Sequence, residues 1–98
     1  MREANIKKAR LGDSRLVSTK LSAADAQGAS FDGARMQETN LDDADLRGAT
    51  FNGADINNAF FRRARFDDPA LLSILRAENW RKANFDEATA ERLRDLAS

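Results

Sequence analysis

The most constraining feature of this chain is an apolar residue at every fifth position, each preceded two places earlier by Ala, Ser or Thr. A period of five fits neither the 3.6-residue period of an α-helix nor the two-residue period of a β-strand. We therefore predict a repeat architecture, in which internal repetition decides the fold. The predicted structural core consists of Ile6, Leu11, Leu16, Leu21, Ala26, Phe31, Met36, Leu41, Leu46, Phe51, Ile56, Phe61 and Phe66.

A second period of twenty residues lies within the first. Residues 24–34 and 44–54 are identical at seven of eleven positions. Twenty residues are four units of five, which favours a coil with four sides whose turns stack on one another. The dipeptides Asp32-Gly33 and Asn52-Gly53 could instead indicate hairpins, but hairpins would not keep the apolar register through the turn. A helix would spread the apolar series over all its faces.

The units resemble the pentapeptide repeat family, whose motif is a small residue, a polar residue, a central Leu or Phe and two variable positions. The resemblance covers about residues 4–68 and implies an all-β solenoid, a right-handed quadrilateral β-helix of about three coils. Ala26, which is small for a central position, and Phe60, which stands at a usually polar position, depart from the motif. The matching fragments are Ala4-Asn5-Ile6, Ala24-Asp25, Thr39-Asn40-Leu41, Ala44-Asp45-Leu46 and Ala54-Asp55-Ile56.

The periodicity breaks at Asp67-Asp68-Pro69, where an acidic cap followed by proline predicts the start of a helix. We expect a β-helix over residues 1–68 and a C-terminal helical cap over 69–98, with helices at about 69–78 and 87–97. Ala83-Asn84-Phe85 resembles one more unit, shifted in phase. Capping is what the open end of a solenoid requires. The alternative is a dimerisation element, which exposure of Leu72 or Leu96 would mark.

The composition narrows the classes of function. Histidine and cysteine are absent, so the commonest general base and the commonest zinc ligands are missing. The net charge is zero, so the molecule as a whole has no electrostatic bias towards nucleic acid or membranes. The first residues contain no apolar run, and we expect a cytoplasmic protein without a signal peptide or membrane span. Adjacent carboxylates of a repeat solenoid diverge, so we expect no enzyme activity, no catalytic residue, no cofactor and no metal site.

The segment 60–66 mixes aromatic and basic residues. The register assigns Phe61 and Phe66 to the core, which argues against nucleic-acid binding. Between neighbouring coils we expect ion pairs of Arg65 with Asp45 and of Arg47 with Asp67. Phe60 is expected to lie beneath a C-terminal helix.

The sequence favours a non-catalytic scaffold or protein–protein interaction module whose partner it does not identify. The N-terminal end either pairs with a second copy, giving a homodimer, or continues into a longer protein. Some members of the family mimic DNA and bind DNA gyrase, and the acidic residues 21–60 make this the alternative function. Arginines that interrupt the acidic surface and the zero net charge of the chain both weaken that alternative, because a DNA mimic should present an uninterrupted negative field. The candidate interaction surface comprises Phe60, Asp25, Asp45 and Asp55.

Overall fold

The computed structural model describes residues 4–98, and over residues 4–65 the chain winds in coils of twenty residues. Nine isolated parallel β-bridges join residues that are twenty positions apart, from Asn5 with Asp25 to Asp45 with Arg65. On each coil, a bridging residue stands alone between two turns, so no continuous strand forms within the described residues. The β pairing of the solenoid therefore consists of single-residue bridges, because five-residue units are too short to extend a bridge into a strand.

The bridging residues form four columns along the stack of coils. Residues ten positions apart lie half a coil from each other, so the first column is opposite the third and the second is opposite the fourth. The first column is Asn5, Asp25, Asp45 and Arg65; the second is Arg10, Ser30 and Thr50; the third is Arg15, Arg35, Asp55 and Glu78; the fourth is Lys20, Asn40, Phe60 and Asn84.

A tight turn connects each column to the next. The amide of Ala29 donates to the carbonyl of Ala26 at 3.0 Å, and the residue before Ala29 is Gly28, with φ of 71°. The same positive φ recurs at every fifth residue from Lys8 to Arg63, and only four of these twelve residues are glycine. A left-handed conformation costs a non-glycine residue about 1–2 kcal/mol. The backbone hydrogen bonds between neighbouring coils must therefore outweigh this strain at the eight turns that lack glycine.

The predicted core is inside the coils. The central residues from Ala26 to Phe61 are buried, and the small residues of the second and third coils are buried beside them. The rings of Phe31 and Phe51 stack with centroids 5.0 Å apart. The central residues of the first coil are half-buried because that coil has a neighbour on one side only, and Phe66 is also half-buried.

The C-terminal residues continue the stack and then cover it. Helix α1 (Asp68–Ile74), a 3₁₀ helix (Trp80–Lys82) and helix α2 (Glu87–Ala97) follow the repeats. The first helix ends before the predicted residue 78, because Glu78 instead forms a bridge with Asp55. The predicted extra unit at 83–85 is confirmed: Asn84 bridges Phe60, at an offset of 24 instead of twenty.

Side chains complete the backbone pairing where the coils end. The hydroxyl of Ser73 accepts a hydrogen bond from the backbone amide of Phe51 at 3.1 Å. A carboxylate oxygen of Asp86 accepts one from the backbone amide of Arg63 at 2.7 Å. Asp67 accepts from the amide of Gly48 and caps helix α1. Buried polar groups need such partners, so the helical segment supplies what a further coil would have supplied.

Helix α2 packs against the core through one face. Leu93 is fully buried in the same cluster as Phe61 and Ile74, and Leu96 is half-buried against it. Leu72 of helix α1 is 48% exposed. A single exposed leucine is ordinary on a protein surface, so the residue named as a mark of dimerisation does not by itself indicate an interface.

We expect Phe51→Ala to lower the free energy of unfolding by about 3–5 kcal/mol, because it removes a fully buried ring between Phe31 and Phe61. Met36→Leu, at an equally buried position, should cost less than about 1.5 kcal/mol. Urea unfolding followed by the fluorescence of Trp80, the chain's single tryptophan, measures both values. Equal costs for the two variants would contradict a tightly packed stack.

Candidate interaction surfaces

The structure distributes the predicted interaction residues over three columns. Asp25 and Asp45 are neighbours in the first column, Asp55 lies in the opposite third column, and Phe60 lies in the fourth. All four residues are half-buried. These four residues therefore do not lie on one side of the coil, because residues separated by ten positions face opposite sides of a twenty-residue coil.

The first column borders a shallow acidic depression. Asp25, Asp43 and Asp45 line this depression together with Arg65, Ala23 and Ala24. The carboxylate of Asp25 lies 3.7 Å from the ammonium of Lys7, and that of Asp45 lies 2.6 Å from the guanidinium of Arg47. Each of these carboxylates therefore has a cationic neighbour.

Phe60 is the aromatic residue of the fourth column. The guanidinium carbon of Arg62 lies 5.5 Å from the centre of its ring, which is within the range of a cation–π interaction. Asn40 bridges the Phe60 backbone from the preceding coil and Asn84 from the following segment. The Phe60 backbone is thus paired with the extended segment that precedes α2.

Ion pairs between coils form at other positions than expected. Arg62 pairs with Asp42 at 2.9 Å and Arg63 with Asp43 at 2.8 Å, each across one coil. Arg47 pairs instead with Asp45 of its own unit. Asp67 accepts hydrogen bonds from backbone amides of Gly48 and Ala70.

These pairs influence the acidity of the carboxyl groups. The hydrogen bond from Arg63 lowers the pKa of Asp43, and the hydrogen bond from Arg47 lowers the pKa of Asp45. Both groups remain ionised at neutral pH. A general acid requires a raised pKa, so these carboxylates act as fixed charges.

The N-terminal edge of the first coil is the other candidate surface. Ser30 forms bridges on both of its sides, to Arg10 and to Thr50, whereas Arg10 and Arg15 bridge on one side only. Among residues 4–98, no backbone hydrogen bond involves the amide or carbonyl of Arg10 or Arg15. Residues 4–23 contain five basic residues and one acidic residue. This edge therefore combines unpaired backbone groups with positive charge.

The described part of the chain contains no group of three or more acidic, histidine or cysteine residues arranged to hold a metal ion. None of its helices has the length and apolar character needed to cross a membrane.

Comparison with known families agrees with the geometry. A family model described as Pentapeptide repeats matches residues 1–37 and 29–68, with eight copies of the repeat. No curated protein matches the sequence. The matched region includes all nine of the bridges between residues twenty positions apart.

We expect Arg47→Gln to raise the pKa of Asp45 towards that of an ordinary aspartate, because the hydrogen bond from Arg47 is the main cause of its lowering. A lowered folded-state pKa adds stability above the ordinary aspartate pKa, and this stability is lost as pH falls through the lowered value. The variant should therefore lose stability at neutral pH and show a weaker acid dependence. Carboxyl-carbon NMR titration measures the pKa directly.

Asp43 provides the control for this titration. Its own partner is Arg63, so its lowered pKa should not change in Arg47→Gln and should rise in Arg63→Gln. An unchanged Asp45 pKa in Arg47→Gln would show that this ion pair does not persist in solution.

Proposed function

The chain belongs to the pentapeptide repeat family, and on that premise we propose that it is a non-catalytic scaffold that binds another protein through one side of its coils. We further propose that the coils form a right-handed quadrilateral β-helix that the C-terminal helices close at one end. The four columns and the twenty-residue offset support a four-sided coil. Handedness follows from the family resemblance.

One observation supports a binding scaffold most strongly. Inward positions of the repeats carry only small or apolar residues, whereas outward positions carry residues of every charge. Packing restricts the first set, while the second set can change without altering the coil. Such a solenoid presents extended side faces to a partner.

The absence of enzyme activity is part of this proposal. Among residues 4–98, the carboxyl groups with shifted pKa values are Asp43 and Asp45, and arginine partners lower both pKa values. Catalytic acids and bases usually converge in a cleft with pKa values close to the working pH. The depression at the first column is shallow, and the carboxylates of Asp43 and Asp45 that line it are each paired with an arginine.

The gyrase-binding alternative receives less support. A protein that imitates DNA must present an uninterrupted negative field. Asp42, Asp43 and Asp45 are each paired with an arginine, which neutralises part of the acidic region. A supercoiling assay with DNA gyrase tests this alternative independently.

A second copy of the chain is a candidate partner at the N-terminal edge. Two first coils placed edge to edge would pair their free backbone groups, as in the addition of a strand to a sheet. Their basic residues would repel one another at strand spacing. We therefore favour a different protein as the partner and treat the homodimer as an outcome to be tested.

We expect photo-crosslinking in cells to distinguish the sides of the coil. A benzoylphenylalanine is placed at one outward position of each column, namely Asp45, Thr50, Arg35 and Asn40, and at Arg15 for the N-terminal edge. Binding through one side predicts that one position gives a discrete adduct, which mass spectrometry identifies, while the others give background. A dimer-sized adduct at Arg15 alone would indicate a homodimer.

The matched comparison is among the four column positions, which share the same backbone geometry. Circular dichroism and thermal unfolding confirm that each variant retains the wild-type fold. Equal background at all positions would contradict a binding scaffold and indicate a spacer.

A further inference from the structure

A cavity of about 350 Å³ opens between the 3₁₀ helix and helix α2, beside the last residue of the fourth column. Its volume is at the lower end of the range of small-molecule sites. Four apolar residues and two arginines line it: Trp80, Arg81, Ala83, Phe85, Ala90 and Arg94.

The apolar wall of the cavity is held in place by the core. The ring of Phe85 stacks on that of Phe61 at 5.1 Å with an interplanar angle of 8°, and Phe61 is fully buried. The guanidinium carbon of Arg81 lies 4.5 Å from the centre of the Trp80 ring. Stacking of this kind orients a guanidinium group, so the aromatic and cationic parts of the wall are already arranged.

The charge of the cavity selects the type of ligand. Arg81 and Arg94 line the cavity, and no acidic residue lines it with them. Arg94 lies 4.0 Å from Glu87, whose side chain is 86% exposed. A contact this long with an exposed partner is weak, so the Arg94 guanidinium can pair with an incoming anion. Two guanidinium groups beside an apolar wall complement a ligand with an apolar body and one carboxylate.

Small residues create the space for such a ligand. Ala83 and Ala90 face the cavity from the segment before α2 and from α2 itself. Both are half-buried. A larger side chain at position 90 would fill the cavity without removing either arginine or either aromatic ring.

We propose that this cavity binds a small aromatic carboxylate, with the ring against Trp80 and Phe85 and the carboxylate at Arg94 and Arg81. This binding site lies at the covered end of the coils, beside the extra unit at 83–85, and adds ligand recognition to the scaffold. Its occupant would lie between the extra unit at 83–85 and helix α2, and would therefore stabilise the covered end of the coils by binding the folded state.

The chain allows a direct measurement of binding. Trp80 is the single tryptophan and tyrosine is absent, so fluorescence excited near the red edge of indole absorption reports on this cavity alone. The probe is phenylacetate and its matched neutral control is phenylacetamide. We expect phenylacetate to change the emission with a dissociation constant on the order of 1 mM, and phenylacetamide to bind about fivefold more weakly.

Three variants make the test specific. Arg94→Gln should weaken phenylacetate binding about threefold to fivefold and leave phenylacetamide binding unchanged. Arg76→Gln removes the same charge from an exposed residue that does not line the cavity and should have no effect. Ala90→Leu should abolish binding of both probes.

Ligand-detected NMR checks the affinities independently of fluorescence, and circular dichroism checks that every variant is folded. Phenylacetate binding that is reduced by Arg94→Gln but not by Arg76→Gln, and that is lost in Ala90→Leu, would support the proposal. No response to phenylacetate, equal binding of the two probes, equal effects of the two arginine variants, or binding retained by Ala90→Leu would overturn it.

Discussion

The structure depends on backbone pairing between residues that are twenty positions apart. Each unit contributes a single bridging residue, and such a residue would have no regular partner if the neighbouring coil were removed. Pairing therefore forces the coils into register, places the central residues inside and tolerates left-handed turns at residues other than glycine. The same dependence explains why the ends of the stack differ from its middle: a terminal coil lacks half of its partners.

Much of the fold could be predicted because packing restricts the inward residues. The apolar period predicted the buried stack, including Phe31 on Phe51. The left-handed turns were not predicted, because most of these positions carry no glycine to reveal them. Ion pairs were misassigned because register gives the position of a residue but not the direction of a long side chain: Arg47 reaches Asp45 in its own unit. The predicted interaction residues do not share one side of the coil, because half a coil separates Asp55 from Asp45.

Charge changes sharply along the stack. Residues 4–23 have an excess of four basic residues, and residues 24–43 have an excess of four acidic residues. Adjacent layers of opposite charge attract across the strand spacing, as the contact of Lys7 with Asp25 illustrates. The basic first coil has this complement on one side only.

Disulfide formation between engineered cysteines tests the twenty-residue offset most directly, because the chain has no native cysteine. Ser30 and Thr50 bridge one another in the second column, and the strand spacing of about 4.8 Å lies within disulfide range. The pair Ser30→Cys and Thr50→Cys should oxidise rapidly to an intramolecular disulfide in the folded protein. The control pair Arg35→Cys and Thr50→Cys, in neighbouring columns, should not. Equal crosslinking of the two pairs, or none in the first, would contradict the stacked coil.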